Sequence, residues 1–121
     1  MDVYTSVVPF QKMSSILKQA KEVIRTSDRW TKRMYRDEKG RVCAIGAVNT
    51  VTPMTGATEA DIWRIRDLRD EARFALLSVT PPAWDTVPGY NDYPGTSHED
   101  IMRMFDEAIE IAEINEQESE R

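Results

Sequence analysis

Two of the side chains that most often carry chemistry are almost missing from this chain, which holds one cysteine and one histidine among 121 residues. With Cys43 as the lone thiol, no intramolecular disulfide can form. Cys43 and His98 together also fall short of the ligand set of a structural zinc site. No apolar run approaches the ~20 residues that a membrane helix requires. The first residues, MDVYTSVVPFQKM, begin with an acid and are broken by Pro9 and Gln11. They lack the basic start and long apolar core of a secretory leader, so a cytoplasmic protein is expected. Phosphate-cradling loops, dinucleotide fingerprints, HExxH and EF-hand patterns are missing too, and no cofactor or metal is expected.

What is there fits a water-facing globular chain, with 40% hydrophobic and 31% charged residues. The length suits one domain able to bury a core unaided. Charge is unevenly spread. Residues 11–41 carry ten basic and four acidic side chains, whereas residues 106–121 carry one basic and seven acidic. The acidic end is expected to pair with the basic start, either by folding back or in a second molecule.

Apolar spacing predicts a helix over residues 10–26, through Phe10, Met13, Ile16, Leu17, Ala20, Val23 and Ile24, with Pro9 suited to its first turn. Lys18, Lys21 and Arg25 share its outer stripe. Around the turn-like DEKG, with Gly40 supplying positive φ, a short β-hairpin is predicted over about 30–36 with 41–44. The small residues of AIGAVNTV favour a short helix over 44–51. Thr58 with Asp61 has capping-box spacing, opening a helix over 59–78 with Ile62, Ile65, Leu68, Ala72, Ala75, Leu76 and Val79 inward. The opposite face, rich in arginine and acids, reads as solvated, with an Arg66/Asp70 pair possible. Pro81 and Pro82 stop that helix, and residues 81–95 read as loop. The last helix carries Ile101, Met104, Phe105, Ala108, Ile109 and Ala112. Its pattern dissolves beyond Asn115, where acids oppose the helix dipole. These readings give a mostly α domain of about four helices with a small β-hairpin, a single compact α+β unit over residues 1–115, and an acidic, frayed tail over 116–121.

The densest collection of polar side chains is YNDYPGTSHED, residues 90–100. Ser97 with Asp100, or Thr96 with Glu99, makes a capping box for the last helix. Asn91 and Asp92 before Pro94-Gly95 read as a turn. His98 falls in the first helical turn as an exposed bystander. A catalytic alternative draws on Cys43 as nucleophile, His98 as base and Asp92 or Asn91 as orienter, giving a cysteine-dependent hydrolase or transferase. A nucleic-acid alternative draws on the basic 29–41 segment with Trp30 and Tyr35, against an acidic total and the anionic end.

Two segments carry a family resemblance. CAIGAV at 43–48 is similar to a C-x-x-G-A segment, and YNDYPGTSHEDI at 90–101 resembles W-N-D-x-P-G-R-T-x-x-E-V, both found in small uncharacterised proteins common in actinobacteria and their phages. Cys43, Gly46, Ala47, Asn91, Asp92, Pro94 and Gly95 match outright. Ser97 and Asp100 are close substitutes for the motif's threonine and glutamate. Tyr90 replaces its tryptophan and Thr96 its arginine. His98 falls at an open position, and the resemblance implies a fold and a bacterial or phage setting without an activity. The expected function is a non-enzymatic accessory protein that binds another protein and could self-associate. Nucleic acid and membrane are not expected partners. The expected binding residues are Tyr90, Asn91, Asp92, Trp84, Trp30, Arg33 and Arg36.

Overall fold

The computed structural model describes residues 11–120; Pro9 and Phe10, expected at the head of the first helix, lie outside the described residues. Five α-helices occur among the described residues: α1 (Met13–Val23), α2 (Ala44–Val51), α3 (Glu59–Ser78), α4 (Val87–Asp92) and α5 (His98–Ser119). The inward residues of α1, α3 and α5 are those the periodicity selects: Ile16, Leu17, Ala20, Ile65, Leu76, Ile101 and Phe105 are all sealed from solvent. Burying each large side chain contributes about 1.5–3 kcal/mol. Helix α2 lies inside this shell, with Ala44, Ile45, Gly46, Ala47 and Val48 buried.

The expected β-hairpin is not present, and no strand occurs among the described residues, so the fold is helical rather than α+β. The turn exists: Gly40 has φ 80°, and the Asp37 carboxylate accepts the amides of Lys39 and Arg41 at 3.0 and 2.8 Å. What fails is the ladder. Val42 alone makes isolated bridges, to Trp30 on one side and Arg36 on the other. Between them the chain bends through Arg33, at φ 73°. A ladder needs successive extended residues, and this stretch has no alternating apolar face to bury.

Residues 81–95 also differ from expectation, because α4 sits inside the expected loop. Thr86 caps it by accepting the Gly89 amide at 3.0 Å, and Pro88 occupies the first turn, where its missing N–H costs nothing. Asn91 and Asp92 close this helix rather than forming a free-standing turn.

Helix ends are closed by side chains from other helices. Glu116 of α5 accepts the Ser14 amide at 3.4 Å and its hydroxyl, placing an anion at the positive N-terminus of α1. At the other end of α1, His98 Nε2 donates to the Ile24 carbonyl at 2.7 Å. Arg69 of α3 donates to the Asn49 and Thr52 carbonyls at 3.3 and 2.7 Å, and so closes the C-terminus of α2. The face of α3 read as solvated therefore holds a working cap, and Arg66 lies over the Trp63 ring at 5.5 Å.

The charge polarity resolves within the chain. Lys12 pairs with Glu120 at 2.8 Å, Lys18 with Glu113 at 3.1 Å, and Lys21 with Asp106, as α1 and α5 run antiparallel. Helix α5 continues past Asn115 to Ser119. Its last acids oppose their own dipole but face the start of α1. The exposed pairs each contribute only about 0–1 kcal/mol.

Candidate functional site

The motif residues meet at one point, and Asn91 is its centre. Its side chain is fully buried. Asn91 Oδ1 accepts Trp30 Nε1–H at 2.7 Å and the Ala44 amide at 3.2 Å. Asn91 Nδ2 donates to the Thr31 carbonyl at 3.1 Å and to Asp92 Oδ1 at 3.0 Å. One amide thus ties the 30–31 segment, the start of α2 and the end of α4 together, with both donors and its acceptor used. Asp92 Oδ1 also accepts the Arg33 amide at 2.7 Å, which holds that residue in its left-handed conformation. Lys32 Nζ donates to the Tyr93 and Thr96 carbonyls at 2.6 and 2.7 Å, and lies 5.3 Å from the Trp30 ring centre.

The C-x-x-G-A residues serve the same junction. Cys43 is the N-cap of α2, its Sγ accepting the Gly46 amide at 3.3 Å. The Cys43 amide donates to the Tyr35 carbonyl at 3.3 Å. A Cβ on Gly46 would stand 2.0 Å from that same carbonyl oxygen, so only glycine lets the 35–36 backbone cross α2 here. Burial pushes the Cys43 thiol up, outweighing the amide contacts from Gly46 and Ile45. A thiol in that state is a poor nucleophile.

Ser97 and Asp100 form the expected capping box, with Asp100 accepting the Ser97 amide at 2.9 Å and Ser97 Oγ accepting the Asp100 amide at 3.1 Å. His98 is no exposed bystander. It is half-buried, bonded to Ile24 and packed on Trp30 with ring centres 5.8 Å apart. Among the described residues no hydrogen bond joins it to Cys43 or Asp92, so the drawn Cys-His-Asp arrangement is not assembled. No group of three or more metal-ligating side chains occurs among the described residues either.

The remaining expected binding residues divide. Trp84 and Tyr90 are half-buried, with Trp84 against the Tyr90 and Tyr93 rings at 6.3 and 4.9 Å. Arg33 and Arg36 are exposed, Arg36 reaching Thr50 Oγ1 at 3.1 Å on α2. Trp30 turns its indole N–H inward to Asn91, and its ring lies against His98 and Lys32.

A different surface went unread in the sequence. Phe74 projects from α3 with 73% of its area exposed. It stands between two hollows. One, of about 800 Å³, runs between α1, α3 and α5, with Met13, Ala75, Ala108, Ile111 and Ala112 in its wall. The other, of about 590 Å³, lies toward α4 and is lined by Tyr35, Ile45, Leu77, Val87 and Pro88. Ile111 and Ile114 are each nearly half exposed. The signal was present: Phe74 and Ile111 are large apolar residues on helix faces otherwise given to charge.

No helix among the described residues is long and apolar enough to cross a membrane. Comparison with curated proteins and with solved structures gave no match. A family model described as a family of unknown function (DUF6197) matches residues 9–111, a span that contains the Trp30 segment, the Cys43 helix start and the Asn91 junction, and the chain belongs to that family.

Proposed function

We propose that this chain is a non-enzymatic interaction protein, acting as an accessory factor in a bacterial or phage setting, and that it docks another protein across Phe74. The observation that carries this reading is the exposed Phe74 ring standing between two apolar hollows. An exposed apolar patch rimmed by polar residues is the usual mark of a docking surface. A phenyl ring left 73% exposed buries little of its area on folding and gains the rest only when covered. The motif junction around Asn91 supports the same division of labour, since its hydrogen bonds are consumed internally and it serves the scaffold.

The test is affinity capture from the native host with the full chain and with Phe74→Ala, followed by mass spectrometry. The expected result is a protein retained by the wild type and lost with the variant. Identical captures from both would refute docking at Phe74. Alanine preserves helix propensity at this exposed site, so the variant retains the fold.

A further inference from the structure

We infer that the occupant of the larger hollow is an amphipathic helix whose flanks carry lysine or arginine; this rests on the docking reading above and specifies the partner's chemistry. The hollow follows about three turns of α5, from Ala108 to Ser119, and about two and a half turns of α3, from Asp70 to Ser78. An open apolar trough between two helices suits a third helix laid along it, anchored at i, i+4 and i+7 positions.

The rim decides the charge. Asp70 and Glu71 stand on the α3 side and Glu116 and Glu120 on the α5 side, against Lys12, the one cation among the described lining residues, which Glu120 already engages. Asp70 and Glu71 are exposed and form no ion pair among the described residues. Glu116 is engaged within the chain, which leaves Asp70 and Glu71 to set the field of the hollow. Its Oε1 is used by Ser14, and its Oε2 is enclosed without a hydrogen bond among the described residues. A second copy of this chain would bring the same acidic rim against itself, juxtaposing like charges. An anionic partner meets the same repulsion.

The experiment uses the full chain and two designed 18-residue helical peptides with identical leucine faces, one flanked by lysines and the other by glutamates. Binding is followed by calorimetry at low and physiological salt and mapped by NMR. The lysine peptide should bind at least about tenfold tighter than its glutamate twin, and more weakly as salt rises. It should perturb Met13, Phe74 and Ile111. Phe74→Ala should weaken it at least tenfold, and Asp70→Lys with Glu71→Lys should reverse the preference between the peptides. Equal binding of both peptides, with loss of both in Phe74→Ala, would overturn the cationic partner while leaving docking at Phe74 intact. Failure of either peptide to bind at millimolar concentration would overturn the inference. So would self-association abolished by Phe74→Ala, or intramolecular contacts from residues 1–10 filling the hollow, since a different occupant would then be in place.

Discussion

Replacing Asn91 with alanine should cost about 3–5 kcal/mol of folding stability. The substitution strips the acceptor from Trp30 Nε1 and from the Ala44 amide, and the donor from the Thr31 carbonyl. A buried polar group left unpaired costs about 1–3 kcal/mol. Ala44 is completely enclosed, so its amide bears the full penalty. Trp30 and Thr31 are half-buried, and water recovers part of theirs. Against a total of about 5–15 kcal/mol for a domain, the loss is large enough to read in urea titrations followed by tryptophan fluorescence, with an unchanged slope marking an unchanged fold. Asn91→Asp provides the sharper comparison. It keeps the acceptor but replaces the donor with a carboxylate beside Asp92 and facing the Thr31 carbonyl. That carboxylate is disfavoured by burial and like charge, so its pKa lies above the ordinary value in the fold. The deficit of Asn91→Asp relative to wild type should therefore shrink as pH falls, because protonation favours the native state and restores a donor. A loss below about 1 kcal/mol for Asn91→Ala would refute the reading of Asn91 as the junction's centre.

Gly46→Ala should destabilise by about 3 kcal/mol, the upper end of overpacking costs, because its Cβ meets the Tyr35 backbone rather than a movable side chain; thermal unfolding by circular dichroism measures this. The bond to the Ser97 amide, together with Ser97 Oγ and Arg103, holds the Asp100 carboxyl below the usual range, although its burial opposes this. A depressed native pKa gives stability that is present above the unfolded value and lost as pH falls through the native one. Wild type should therefore lose stability below about pH 4 relative to Asp100→Asn, and parallel pH profiles for the two would contradict the capping box. Cys43 should react slowly with a thiol reagent near neutral pH in the native chain and rapidly in denaturant, since burial raises its pKa; fast native labelling would count against its role as a buried cap.

Three helices and their inward faces were legible because a repeat of three and four residues leaves little freedom about which side is buried, and the short helix over 44–51 was legible from its small residues. Ser97 with Asp100 was equally readable, because a cap is local chemistry. The failures share a cause. The hairpin was inferred from a sound local turn at Gly40, but whether its flanks pair depends on Asp92 capturing the Arg33 amide 59 residues away. Helix α4 was hidden because Pro88 and Gly89 read as loop unless Thr86 is recognised as a cap. His98 looked exposed because its partner, the Ile24 carbonyl, lies 74 residues distant. The acidic end of α5 looked unfavourable because a dipole argument confined to one helix omits the start of α1 beside it. Phe74 is the opposite case: it belongs to no polar cluster and no cap, and its only mark in the sequence is an apolar side chain on a charged face.

The most direct test of docking at Phe74 is two-dimensional NMR of the full chain titrated with the lysine-flanked helical peptide. The account predicts resonance shifts concentrated on Met13, Phe74, Ala75 and Ile111, along the two walls of the larger hollow. Shifts confined to Trp84, Tyr90 and Tyr93, at the motif end of the molecule, would contradict it.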